Sequence, residues 1–334
     1  MSILKAEIVR VEIEPHPNAD RLELAKVKGW QCVVGKNQFK TGDLGIYIPV
    51  DSILPDSLVQ KLNLKNYNKR LRTIKLRGFI SQGLFIPLFP ALDGIPAPQA
   101  EGYIEGNDVT ECLGITKYES PIPIYMGGEQ LPEHPSFIKY TDIENFKNFP
   151  NAFQLNEEVI ITEKLHGTNM RAAKIDGKLF VGSHRCNMKL NENNLYWKAA
   201  RLLNLEEKLK EGEQIFGEIY GYKIQELHYG KQINEIAIAI FDFMKDFKYL
   251  NYEDFIQVCE DRQFEIVPII YKGSWSQDLI KFSNGNSLLC PSQIREGIVI
   301  KPTIEKWSAE VQGRLILKFI NDAYLLKNDR TEYH

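Results

Sequence analysis

Residues 163–169 read EKLHGTN, set between the apolar run VIIT (159–162) and MRAAKI (170–175). A lysine at the end of a hydrophobic strand is costly, because its ammonium must stay solvated, find a partner or lose its proton. The stretch is therefore either a strand end with a snorkelling lysine or one built to present an amine. The residues just downstream decide the fold of this half. MRAAKI and KLFVGS flank Asp176-Gly177, a two-residue turn signal, so EKLHGTN joins one strand to a β-hairpin. Residues 193–210 have helical periodicity and are expected to stop at Gly212. The runs IFGEIYG, IAIAIFDF, EGIVIKP and RLILKFI read as further strands, with one more helix at about 252–262. Strands dominate and crossover helices are few, which favours mostly antiparallel sheets over a doubly wound fold.

Toward the N-terminus, ILKAEIVRVEI, LELAKV, WQCVVG and LGIYIPV are short strands separated by turns, among them Thr41-Gly42-Asp43. That pattern suggests a small closed β-barrel, and the OB-fold is the nucleic-acid-binding candidate. Residues 57–80 carry Lys61, Lys65, Lys69, Arg70, Arg72, Lys75 and Arg77 without an acidic residue, with Tyr67 and Phe79 in the same run. Phosphate neutralisation with occasional base stacking needs this mixture, although a solvated basic face that binds nothing has the same composition. Residues 90–106 are rich in Pro and Gly and read as a long loop. The expected organisation is an OB-fold domain over 1–115, a linker over 116–150 and a second domain over 151–334.

The chain has 334 residues, a formal charge of −3 and five cysteines. The cysteines are odd in number and far apart, which argues against a disulfide framework and a C-x-x-C zinc site and fits a reducing cytoplasm. No window approaches twenty apolar residues, and the charged N-terminal stretch is not a secretory signal, so neither a membrane span nor export is expected. A monomer is expected.

Polar residues interrupt the apolar strands of the second domain: Lys164, Arg185, Glu218, Asp242, Glu296, Lys301 and Lys318. Singly, each is more often a strand-edge ion pair than a catalytic group. Converging, they make a pocket of phosphate-binding cations and metal-ordering carboxylates. There is neither G-x-x-x-x-G-K-[ST] nor G-x-G-x-x-G, so an enzyme using a nucleotide here grips phosphates by side chains. A lysine beside other cations and a metal is a plausible nucleophile, because those neighbours depress its pKa.

The ordered set EKLHGTN, GSHR, FGEIYG, IFDF, REGIVIKP and LILKF resembles motifs I, Ia, III, IIIa, IV and V of the covalent nucleotidyltransferases, which include ATP-dependent ligases and mRNA capping enzymes. The K-x-H-G-T-N form resembles the nick-sealing RNA ligases. HPNADRLELAKVKGW resembles the OB domain of tRNA-binding modules, and KLRGFISQGLFIP the N-terminal OB domain of Deinococcus-type RNA ligases. The resemblance implies an α+β protein: an OB barrel, then a ligase/capping-type nucleotidyltransferase domain of mostly antiparallel sheets with flanking helices.

It further implies that Lys164 attacks the α-phosphate of ATP and becomes lysyl-AMP. Glu163 lies near the adenine, Asn169 near the ribose or phosphate, and His166 in the same shell. Arg185 holds the ribose or a phosphate, and Phe241 stacks on the adenine with Asp242 beside it. Glu218 and Glu296 order the waters of a Mg2+ or Mn2+ ion, and Lys301 and Lys318 neutralise charge on the α-phosphate. Lys69, Arg70, Arg72, Lys75 and Arg77 are the expected nucleic-acid contacts. The implied substrate is RNA with 3′-hydroxyl and 5′-phosphate ends, favoured at a nick in a duplex.

Motif V departs from the family pattern of two lysines two apart. Its face here reads Arg314, Ile316, Lys318, Ile320, with Arg314 as a possible substitute. The rivals are a DNA ligase or guanylyltransferase on the same chemistry, and a non-catalytic RNA-binding protein.

Overall fold

The computed structural model describes residues 4–64, 70–95, 102–119, 128–327 and 330. Two units make up the chain: Met1–Ser120, Glu144–Pro150 and Asp322–His334 form the first, Pro121–Ile143 and Asn151–Asn321 the second.

In the first unit, β1 (Glu7–Arg10), β5 (Leu44–Ile48) and β8 (Leu84–Pro87) pair in the order β1-β5-β8. A second three-stranded sheet joins β2 (Glu12–Pro15), β3 (Leu22–Val27) and β4 (Trp30–Gly35). Period-2 alternation explains why these segments are strands: Trp30, Cys32 and Val34 of β4 are buried, and the residues between them are half-buried. Ile8, Ile46, Ile48 and Ile86 build the core of the β1-β5-β8 sheet. A hairpin of β6 (Ile74–Leu76) and β7 (Phe79–Ser81) turns at Arg77-Gly78, both at positive φ, the backbone of the tight turn that suits twisted strands.

The segment expected as a linker over 116–150 is divided between the units, and 322–334 groups with the first unit rather than the second. The reason is hydrogen bonding. Gly29 N–H donates to the Lys147 carbonyl at 2.9 Å, and Trp30 Nε1 donates to Asn148 Oδ1 at 2.7 Å. Only glycine fits at 29, since a Cβ there would lie 2.7 Å from Lys147 Cα. The Lys147 ammonium is buried, so it needs partners: it donates to Gln82 Oε1 at 2.6 Å and lies 3.3 Å from Asp322.

The second unit is built on two antiparallel sheets. The first contains, side by side, β11 (Lys178–Ser183), β10 (Thr168–Ile175), β12 (Glu213–Gly221) and β13 (Ile236–Lys245). In the second, the strands of this unit run β16 (Leu317–Ile320), β15 (Gly297–Pro302), β9 (Glu158–Lys164) and β14 (Ile269–Ser274). The hairpin expected at Asp176-Gly177 is present, with Ile175 opposite Lys178. The helix expected over 193–210 is instead two, α1 (Leu195–Leu202) and α2 (Leu205–Lys208), because Asn204 between them has φ 53°. Asn194 starts α1 by accepting from the N–H groups of Tyr196 and Trp197. A third helix, α3 (Tyr252–Asp261), matches the expected span closely. These helices bury Ala199, Ala200, Phe255 and Cys259 in one cluster with Met170, Ile215, Ile240 and Phe243 of the first sheet.

Residues 128–143 form a strap across this unit. Arg171, wholly buried, donates to the Phe137 carbonyl at 2.6 Å and to Glu133 at 2.8 Å, and its guanidinium lies 4.1 Å from the Phe137 ring centre. Tyr140 donates to Asp242 at 2.8 Å. The strap thus supplies the Glu133 carboxylate to buried Arg171 and one further hydrogen bond to Asp242.

Candidate active site

Strand register assembles the site. Across β9, β15 and β16, Lys164 lies opposite Gly297, Ile160 opposite Lys301, and Thr162 and Lys318 opposite the same residue, Val299. Directly paired residues share a face and so do residues two apart, so Lys164, Lys301 and Lys318 occupy one face of this sheet. On the neighbouring sheet Asn169 of β10 is the direct partner of Glu218 of β12.

The turn after Lys164 is fixed from both sides. Gly167 N–H donates to Glu218 Oε1 at 3.0 Å. A Cβ at 167 would lie 2.1 Å from the Ile219 carbonyl, so this close approach requires glycine. The neighbouring His166 N–H donates to the Tyr229 hydroxyl at 2.6 Å.

Lys164 itself is held by a carboxylate. Its Nζ lies 2.7 Å from Oε1 of Glu296, which is fully buried, and His166 Nδ1 lies 3.6 Å from the second oxygen. The ammonium beside a buried carboxylate answers the question posed by a lysine at a strand end: a charged partner has been placed for it. Glu163 is buried on the opposite face, where Oε2 accepts from Leu288 N–H at 2.8 Å. Burial raises its pKa, against the lowering effects of Ser287, Leu288 N–H and Arg295.

Glu218 keeps some exposure, yet enough protein surrounds its carboxyl to push its pKa up to about 8. Burial is the main cause. The Lys164 charge opposes it and Glu296 reinforces it. A carboxyl that keeps its proton more tightly when folded favours the folded state at low pH, and that contribution fades as pH rises from its ordinary range through 8. In metal-free buffer Glu218→Gln is therefore expected to gain stability relative to the parent between pH 5 and 9. Denaturant midpoints for the two proteins at each pH check this; a constant difference would refute it.

Asp242 and Lys301 lie in a second cluster. Asp242 is wholly buried, 3.4 Å from Lys301 and 2.8 Å from Arg314, and accepts from Tyr140. Burial alone would raise its pKa, but Lys301 and Arg314 outweigh it and hold the carboxyl below the ordinary range. Arg314 also pairs with Glu305 and stacks 3.3 Å above the Tyr249 ring centre. It is thus held by Asp242 and Glu305, whereas Lys318 is buried on the Lys164 face. Phe241 stands at a bulge of β13 and packs against Tyr140, ring centres 4.8 Å apart. Arg185 is exposed in the turn after β11.

The expected nucleic-acid residues divide. Arg72, Lys75 and Arg77 are exposed in the first unit, at and beside the β6–β7 hairpin. Arg70 is not: it is buried, bonds Asp51 through Nε at 2.6 Å and lies 3.8 Å over the Tyr118 ring, because a guanidinium leaving water needs both charge and stacking partners. Lys69 lies outside the described residues.

Sequence reasoning did not single out Tyr229, Arg171 or Tyr140. Tyr229 stands in the irregular segment between β12 and β13, where no periodicity marks one aromatic as inward-facing. Arg171 and Tyr140 acquire their roles only through the strap.

The chain matches an RNA ligase family model over residues 157–320 and an OB-fold domain model over 5–88. Among solved structures it is similar to a Naegleria gruberi RNA ligase with PPi, 30% identical at a TM-score of 0.83, covering 98% of this chain and 100% of that one. An apo aspartate-to-alanine mutant of that ligase is 30% identical with a TM-score of 0.81, covering 99% and 100%. A lysine-to-alanine mutant of it with ATP and Mn is 29% identical, TM-score 0.79, covering 96% and 98%. No curated protein matches the chain by sequence.

Proposed function

Because the chain belongs to the RNA ligase family, we propose that it is an ATP-dependent ligase that joins a 3′-hydroxyl to a 5′-phosphate in RNA, acting on nicked duplexes as a monomer in the cytoplasm. The observation that carries this reading is Lys164 Nζ, 2.7 Å from buried Glu296 on a sheet face that also holds Lys301 and Lys318.

The site suits a nucleotide. Glu163 Oε1 and Asn169 Oδ1 are buried acceptors without a hydrogen-bond partner among the described residues. Such atoms are costly unless a ligand supplies donors, and the amino group and ribose hydroxyls of ATP are donors. No group of three or more His, Cys, Asp or Glu side chains is placed to hold a metal among the described residues. Glu218 and Glu296 nevertheless fit a hard cation that keeps most of its waters, for which one or two carboxylates suffice. Mg2+ or Mn2+ held there would draw charge from the α-phosphate and favour the free amine at Lys164.

The side chains support three steps. Lys164 gives up a proton, its Nζ bonds the α-phosphorus, and pyrophosphate leaves. The 5′-phosphate of the RNA then takes AMP from Lys164. Finally the 3′-oxygen attacks that phosphorus, and AMP leaves as the phosphodiester closes. Lys318, fixed on the Lys164 face, neutralises charge gathering on the reacting phosphate, and Lys301, which also holds Asp242, adds its positive charge farther along the same face. The pairing of a K-x-H-G-T-N turn with an OB-fold domain supports the nick-sealing, Deinococcus-type branch. Arg72, Lys75 and Arg77, exposed on that domain, supply sequence-independent phosphate contacts.

Competition between labelled substrates tests the specificity. Nicked duplexes are expected to be sealed at least about tenfold faster than single strands of the same sequence, as prepaid alignment of ends requires. Equal rates would discard the nick preference, and joining only at an end whose terminal sugar is 2′-deoxy with an intact 3′-hydroxyl would favour a DNA ligase.

A further inference from the structure

Resting on this reading, we infer that Tyr229 is a positioning residue for lysine adenylylation. It joins the turn after Lys164 to the segment that carries Glu296. Three observations converge on it. Its hydroxyl accepts from His166 N–H at 2.6 Å. Its own N–H donates to Gln293 Oε1 at 2.8 Å, three residues before Glu296. Its backbone holds φ 51°, a left-handed conformation that is strained for a side chain as bulky as tyrosine.

The surroundings show that this is a built contact. Tyr229 is 3% exposed, while its neighbours His228 and Gly230 are exposed, so the loop turns one ring inward and leaves the flanking residues in water. Tyr220 meets the ring edge-on at 5.3 Å and limits its rotation. Burial, with Glu296 next in effect, raises the phenol pKa well above its usual value, so the hydroxyl stays protonated and its oxygen remains a neutral acceptor.

The two hydrogen bonds bear on the same pair of atoms. His166 is two residues beyond Lys164 and Gln293 three before Glu296, so one tyrosine links the His166 backbone, through the Gln293 side chain, to the segment that brings Glu296 Oε1 within 2.7 Å of Lys164 Nζ. Catalysis by alignment is sensitive to displacements of about 1 Å. Loosening this tie should slow the attack on the α-phosphate without weakening the nucleotide's own contacts with Glu163 and Asn169.

Tyr229→Phe deletes only the hydroxyl, and Gln293→Ala cuts the other end of the tie. Single-turnover label transfer from α-labelled ATP, corrected for the fraction of enzyme that can be labelled, separates rate from affinity. Each variant is expected to lose about 10- to 100-fold in maximal rate, with half-saturating ATP within about threefold of the parent. Amide exchange at His166 is expected to quicken in Tyr229→Phe, and thermal unfolding reports any loss of folded protein. Both variants at parental maximal rates, or a loss confined to ATP affinity, would overturn the inference while labelling of the parent leaves the ligase reading standing. An unlabelled parent would overturn that reading, and the inference with it.

Discussion

Lys164→Ala is expected to lose ATP-dependent joining by more than about a thousandfold, yet to keep sealing strands supplied with an adenylylated 5′-end within about tenfold of the parent. The split comes from what the amine does. In the proposed reading Nζ carries AMP in the first two steps, and it is Lys164 whose ammonium lies at the strand end 2.7 Å from Glu296. In the last step the leaving AMP is already on the RNA, and Lys301, Lys318 and the OB-fold domain are untouched by the substitution. Removing the side chain also takes the ammonium away from the fully buried Glu296, so the comparison is made on protein shown to be folded by its unfolding transition. Equal losses in both assays would mean that Lys164 works throughout the reaction or only supports the fold. Retained joining from ATP would end the lysyl-AMP reading.

Glu296→Gln is expected to lower lysine adenylylation by about a hundredfold, roughly 2.7 kcal/mol of barrier. Glutamine keeps the size and one acceptor oxygen, so the 2.7 Å approach to Lys164 can persist, but the negative charge beside the Lys164 ammonium is gone. In the proposed reading that charge also attracts the cation, so half-saturating Mn2+ should rise together with the fall in rate. Measuring label transfer over a Mn2+ series separates the two effects. A variant that matches the parent at saturating Mn2+ would reduce Glu296 to a metal ligand; one unaffected at any Mn2+ would remove it from the chemistry.

Much of the arrangement was legible because local rules and tertiary need coincide. Asp176-Gly177 signalled a tight hairpin, and the apolar runs EGIVIKP and LILKF marked strands interrupted by Lys301 and Lys318, which the register then places on a common face. Gly167 stands three residues after Lys164 because a neighbouring carbonyl leaves no space for a Cβ.

What escaped the sequence depended on partners distant along the chain. Arg70 sits in a basic run and reads as a phosphate ligand, but Asp51 and Tyr118 capture it. Arg314 reads as a substitute for a missing lysine, but Asp242 and Glu305 hold it. Residues 128–143 have no periodicity to betray that they neutralise Arg171 and satisfy Asp242. Asn204 breaks a helix whose apolar spacing continues through it, since a left-handed residue leaves the hydrophobic pattern unchanged.

The central claim is a covalent bond between Lys164 and AMP. Incubating the protein with α-labelled ATP and Mn2+, then mapping the label to a peptide after denaturation, tests it most directly. The expected result is acid-labile label from ATP, not GTP, on the peptide that contains Lys164. Label on another residue, label from GTP alone, or none with either metal while RNA binding persists would contradict it.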